Sequence, residues 1–140
     1  MEYKLELVLL PVSDVDRAKV FYENRCGFDL DVDHAAGEQF RIVQLTPRGS
    51  ACSIAFGIGV EGVASAPVKG LHLVVSDIEA ARAELVARGV DVSEIRHMTP
   101  EGWQPGVDPN HARYNSFADF ADPDGNVWVL QEVGHPAQTA

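Results

Sequence analysis

One phrase occurs twice in this chain. Leu10-Pro11-Val12-Ser13-Asp14-Val15-Asp16-Arg17-Ala18 returns past the midpoint as Leu73-Val74-Val75-Ser76-Asp77-Ile78-Glu79-Ala80-Ala81. In each copy an apolar run stops at Ser-Asp and a helical pattern begins. The two aspartates lie 63 positions apart in a chain of 140 residues, close to half its length. Repetition on that scale constrains architecture before any local reading does, because each copy must build the same supersecondary unit. Two copies also create a shared surface on which a site can form.

The first copy reads as strand, helix, strand, strand, strand. Residues 5–12 are apolar and β-branched enough for a strand. Ser13 and Asp14 can cap a helix, with Asp16 favourable in its first turn. Val15, Ala18, Phe21, Tyr22 and Arg25 fall at helical spacing, and Gly27 can end the helix in a left-handed conformation. Strands follow at 28–33, 40–45 and 52–58, separated by turns at Gly37 and at Pro47-Arg48-Gly49-Ser50. The second copy opens with a strand at 70–75 and the capping box Ser76-Asp77-Ile78-Glu79. Its helix runs to Arg88 and stops at Gly89. A strand at 90–98, a long loop at 99–113, a strand at 115–121, the tight turn Asp122-Pro123-Asp124-Gly125-Asn126 and a last strand at 127–133 complete it.

The expectation is one domain over residues 1–140, with a first module at about 4–58 and a linker at about 59–69. A second module follows at about 70–133, then a tail at 134–140 that should fray. The expected fold class is α+β: two tandem βαβββ modules, each a mixed sheet with its helix on one face, together an open curved cup.

Charge narrows the partners. Lys and Arg number 11 against 21 Asp and Glu, a formal net charge of −10. An acidic surface repels phosphate backbones and anionic lipid, so neither nucleic acid nor a membrane is an expected partner. A cationic small molecule would be attracted, although solubility alone is the commoner reason for acidity. Cys26 and Cys52 form neither a disulfide framework nor a zinc pattern. Met1-Glu2-Tyr3-Lys4 leads straight into a strand, without the regions of a signal peptide, and no apolar run could span a bilayer. A cytoplasmic location is expected. There is no nucleophile elbow and no Gly-rich phosphate loop. The Asp122–Asn126 turn lacks the alternating oxygens and late Glu of a calcium loop, so its expected role is to set hairpin register.

The element order, the paired Val-Ser-Asp helix starts and the Asp122–Asn126 turn before the last strand resemble the vicinal oxygen chelate superfamily. That group holds glyoxalase I, the bleomycin-resistance proteins and extradiol dioxygenases. The resemblance runs from Leu5 to Val133. It implies two βαβββ modules, a cavity between sheets and a homodimer. It does not imply one activity, because functions differ widely on this fold.

Metal-dependent relatives place a His seven residues before the Asp that opens each helix, and a Glu four residues after the glycine of the closing turn. Those positions here hold Leu7, Gly70 and Val129. A fourth ligand would come from the strand at 52–58, which has no Asp, Glu or His. Leu, Gly and Val side chains offer a divalent ion no electron pair. No cofactor is therefore expected, a divalent metal being disfavoured. His72 lies two residues beyond Gly70 and should share its face. It is the one candidate catalytic residue, as a general base, a ligand or a hydrogen-bond anchor; the alternative is a buried, satisfied imidazole. By alternation Val127, Val129 and Gln131 share a face, while Trp128, Leu130 and Glu132 share the other.

What remains is an apolar cup. Leu7, Leu9 and Val129 would line it, with His72 and Gln131 as polar points. Trp103, in the long loop, could close over a flat ligand, with Tyr114 and Phe117 following; such aromatics also serve as loop anchors. The first expected function is binding or sequestering a small aromatic or cationic molecule without the usual metal site. The alternative is a metal-dependent enzyme, a glyoxalase-like lyase or isomerase or a dioxygenase, with a rearranged site around His72 that could recruit His97 and His111. A third is metal-free acid–base chemistry by His72. His34 and His135 read as solvated.

Overall fold

The computed structural model describes residues 1–134. Apart from Gly134, the expected frayed tail, His135 included, lies outside the described residues. The chain divides into two compact units. One holds residues 1–68 together with 122–126; the other holds 69–121 and the chain from Val127 on. The boundary falls inside the expected linker. The closing turn, read from sequence as part of the second module, groups instead with the first unit.

In the first unit, β1 (Leu7–Leu9), β2 (Asp29–Ala35), β3 (Arg41–Thr46) and β4 (Ser53–Ile58) form a sheet in the order β1-β4-β3-β2. β1 runs parallel to β4 and the other pairs are antiparallel. The parallel pair requires a crossover, and α1 (Val15–Val20) supplies its helix. Asp14 caps α1 through a hydrogen bond from the Arg17 backbone N–H. The helix then widens into a π-helical turn over Phe21–Arg25, closed by the Cys26 N–H donating to the Phe21 carbonyl. The wider turn keeps the consecutive Phe21 and Tyr22 both buried. Tyr22 packs against Phe28 and Phe56 at ring-centroid distances of 5.7 and 5.9 Å. Val43, Leu45, Ile54 and Phe56 complete that core.

The Asp122–Asn126 turn is a polar knot within this unit. Asp122 Oδ1 accepts from the backbone N–H groups of Asp124 and Asn126, and Oδ2 accepts from Tyr22 Oη at 2.7 Å and from Asn126 Nδ2. Asn126 also donates to the Pro11 carbonyl and accepts from Val68 N–H. Both oxygens of Asp122 are spent on holding the chain, as the register-setting role requires.

In the second unit, β5 (Leu71–Val75), β6 (Arg96–Thr99), β7 (Gly102–Pro105), β8 (Ser116–Ala121) and β9 (Val127–Glu132) form a sheet in the order β5-β9-β8-β6-β7. β5 is parallel to β9 through the crossover helix α2 (Ile78–Ala87). Asp77 caps α2 by accepting from Ala80 N–H, with backbone angles of −142° and 101° against −139° and 107° at Asp14. The repeated phrase thus builds the same joint twice. Trp128, Leu130, Ala118, Phe120, Ile78 and Leu85 are buried between helix and sheet.

Two local expectations change. The strand at 90–98 is reduced to β6 and an isolated bridge from Val92 to Phe120. The loop at 99–113 contains β7, which pairs with β6 as a hairpin. Pro105 misled the reading: it sits on the outermost strand, where its missing N–H costs no ladder bond.

Candidate ligand-binding face

The two faces of the second sheet differ in kind. Along β9, Trp128, Leu130 and Glu132 are buried while Val127, Val129 and Gln131 are half-exposed, so the expected alternation holds without a bulge. Along β5, His72 and Val74 are exposed and pair in register with Val129 and Gln131. Across β8 the same side carries Phe117, Asp119 and Ala121, opposite Gln131, Val129 and Val127. β6 adds Arg96 and Met98, and β7 adds Pro105 and Trp103 opposite them.

Register turns this list into a grid, because directly paired residues share a face. One row reads Pro105, Arg96, Phe117, Gln131, Val74. The next reads Asp119, Val129, His72. Beyond the first row stand Trp103 and Met98. Val74 is 57 % exposed, Trp103 50 % and Met98 43 %, a concentration of large apolar surface on one side of one sheet.

The aromatic end of the grid is ordered. Trp103 meets Phe117 edge to face at 5.4 Å and 84°. Arg96 lies over the Trp103 ring, its Cζ 5.0 Å from the centroid. Asp119 fixes the guanidinium with contacts of 3.0 Å from Nη1 and 3.2 Å from Nη2. Sequence reasoning found Trp103 and Phe117 and missed Arg96 and Asp119. Seeing them needed the register of β6 on β8, and the misread hairpin hid it.

His72 is exposed on this face, not buried in the core. Its Nδ1 lies 2.7 Å from the Gly70 carbonyl oxygen. A carbonyl only accepts, so a neutral imidazole carries its proton on Nδ1 and presents Nε2 as an acceptor. Gln131 is partly committed, because its Nε2 donates to the Tyr114 carbonyl at 2.9 Å. Tyr114 enters as an anchor and as exposed surface: its backbone has φ of 59°, its N–H donates to the Glu132 carbonyl, and its side chain is half-exposed.

The other histidines do not join His72. His97 is buried among the residues facing α2, with Nδ1 2.8 Å from the Gly106 carbonyl. His111 Nδ1 is 2.8 Å from Oε1 of Glu132, whose side chain is almost wholly buried and whose Oε2 accepts from the Ile78 backbone N–H at the start of α2. The hydrogen bond from His111 to Glu132 raises the imidazole pKa above its ordinary value, against the opposing effect of desolvation. A rearranged cluster of His72, His97 and His111 is therefore not what the fold builds. The segment before β8 is instead held by several bonds. Asp108 N–H donates to Ser116 Oγ, and Asn115 Nδ2 donates to both Met98 O and Asp108 Oδ2. The Asn115 bond, with one from Asn110 N–H, holds the Asp108 carboxyl below the usual range.

Leu7 and Leu9 lie in the first unit. They pair with Ser53 and Ala55, on the side of that sheet away from Phe56 and α1. With Leu7, Gly70 and Val129 at the positions metal-dependent relatives use, the donor set does not fit a divalent ion. Among the described residues no three His, Cys, Asp or Glu side chains stand where they could share one.

Comparison with known proteins agrees with this fold. A family model described as the Glyoxalase/Bleomycin resistance protein/Dioxygenase superfamily matches residues 4–130. The crystal structure of TnmS3, an antibiotic binding protein from Streptomyces sp. CB03234, is similar with a TM-score of 0.71 and 32% identity, over 95% of this chain and 98% of that one. A superfamily member from Sphaerobacter thermophilus DSM 20745 has a TM-score of 0.70 and 28% identity, over 94% and 98%. The Bacillus subtilis (strain 168) protein YetH is 27% identical over 126 residues, 89% of this chain and 94% of its own length. The chain belongs to the glyoxalase/bleomycin resistance protein/dioxygenase superfamily.

Proposed function

We propose that this protein binds and sequesters a small aromatic or cationic molecule on the open face of its second sheet, without a metal ion. One observation carries the reading: half-exposed Trp103, locked by Phe117 and Arg96 and paired with exposed Met98, on the side of the sheet that also exposes Val74 at its other edge. A rigid aromatic left in solvent at a fixed angle is prepared to stack on a planar guest. The similarity to TnmS3, an antibiotic binding protein, supports binding over turnover. The residue types at Leu7, Gly70 and Val129 support a metal-independent role. Action as a homodimer is part of the proposal, and sedimentation at binding concentrations reads it.

The test is a thermal-shift screen of planar aromatic and cationic compounds in metal-free buffer, alongside zinc, nickel, manganese and iron(II). The expected result is stabilisation by aromatic compounds that shrinks in Trp103→Ala. A stoichiometric ion in the purified protein, lost in His72→Ala, would contradict the reading.

A further inference from the structure

We infer that the Arg96–Asp119–Trp103 arrangement makes this face selective for planar aromatic molecules bearing an acidic oxygen, and hostile to planar cations. The inference rests on the small-molecule reading above and narrows it to one ligand class.

Three observations lead there. First, a cation already occupies one side of the indole: the Arg96 guanidinium sits 5.0 Å from the Trp103 ring centroid. A cation stabilises itself on a ring by drawing on its π density. A second cation stacked on the same indole would meet a depleted ring and a like charge behind it. An electron-rich ring meets the opposite situation.

Second, Arg96 is held but not saturated. Asp119 accepts a hydrogen bond from Nη2 and makes an ion-pair contact with Nη1. A guanidinium has more donors than one carboxylate can engage, and no other acceptor meets it among the described residues. A phenolate, enolate or carboxylate oxygen on a stacked ring would find those N–H groups at its edge. Asp119 then works as a positioning residue, keeping Arg96 over the indole.

Third, the grid sets a length. Asp119, Val129 and His72 lie in register on three adjacent strands, so the two polar ends are about 10 Å apart, with valine between them. Two fused rings fit that span. A hydroxyl at the far end would donate to Nε2 of His72, which the Gly70 contact leaves as an acceptor.

The experiment compares three probes of one shape by calorimetry at near-physiological salt: 2-naphthoate, 2-naphthylmethanol and N-methylquinolinium. The expected order is naphthoate, then the alcohol, then the cation, with at least tenfold between the extremes, the scale of one charge-assisted hydrogen bond. Arg96→Met should remove the preference for naphthoate while leaving the alcohol within threefold. Arg96→Lys should restore part of it, and circular dichroism confirms folding of both variants. Asp119→Asn, which loses the carboxylate that holds Arg96 in place, should narrow the gap between naphthoate and the alcohol. Equal binding of all three probes, or a preference unchanged in Arg96→Met, would overturn the inference and leave the small-molecule reading standing. No binding by any probe would count against both.

Discussion

The two units start from one phrase and diverge at the far edge and on the open face of each sheet. Both open with a strand, cap a helix with Asp at the same backbone angles, and return to a parallel neighbour. In the first, β2 is a single exposed edge strand of seven residues with a bulge between Leu30 and Val32. In the second, the corresponding place is taken by the short β6, extended by the β7 hairpin that carries Trp103. The open face follows suit. The fifth residue of β4 is Gly57, that of β9 is Gln131; the third is Ala55 against Val129. One scaffold therefore carries small residues in one copy and a furnished surface in the other. Repetition fixes architecture, and function lies in what differs.

The largest expected break comes at the fifth strand position. A Cβ on Gly57 would stand 1.8 Å from the Arg41 carbonyl oxygen, so Gly57→Ala must part β3 from β4. We expect a loss of about 3 kcal/mol or more in urea unfolding, the range of severe overpacking. Gln131→Ala, at the matching place, should stay within about 1 kcal/mol, the scale of its single hydrogen bond to Tyr114 O. Similar losses for both would mean the two faces are built alike.

Glu132 comes next. Its carboxylate serves Ile78 N–H and His111 at once from a nearly solvent-free position. The matching residue of β4 is Ile58, so the first unit has no such device. Glu132→Ala should cost about 2 to 3 kcal/mol, leaving a helix-start N–H unsatisfied in the interior. The N-caps then sharpen the comparison. Asp14→Ala should cost about 1 kcal/mol. Asp77→Ala should cost less, because Glu132 still compensates the α2 terminus, and more once combined with Glu132→Gln. Equal cap losses in the two units would deny Glu132 that role.

The smallest effects separate the units by pH. In the first, Asp33 accepts from Arg41 and Lys19, and these bonds, the Arg41 one foremost, hold its carboxyl far below the usual range. A lowered folded pKa gives stability present above the ordinary aspartate value of 3.8 and lost as pH falls below it. In the second, the folded pKa of His111 is raised above 6.5. That contribution is complete below 6.5 and fades as pH rises through the folded value. Subtracting the pH profile of Asp33→Asn from wild type should leave a difference that is level above 3.8 and falls away in acid. Doing so for Glu132→Gln should leave one that declines on the alkaline side. Asp33, Arg41 and His111 are each partly exposed, so the amplitudes are small.

Much of this was legible in the residues. The repeat placed both helices and their caps, and strand alternation put Val129 and Gln131 on the face opposite Glu132, because both signals are local and periodic. What escaped depended on pairing across the chain. The β6–β7 hairpin was masked by Pro100 and Pro105, residues that read as loop but stand at a turn and an outer edge. Without that hairpin, Arg96 had no visible relation to Trp103 or Asp119. His111 and Glu132, 21 positions apart, gave no local sign of their bond.

The central claim is that the open face of the second sheet receives the ligand. It is tested most directly by an amide NMR titration of the isotope-labelled protein with 2-naphthylmethanol. The account predicts the largest shifts at His72, Phe117, Val129 and Gln131 and at the Trp103 indole N–H, with Trp128 little changed. Saturable shifts that bypass those five groups and gather on the α2 side would contradict it.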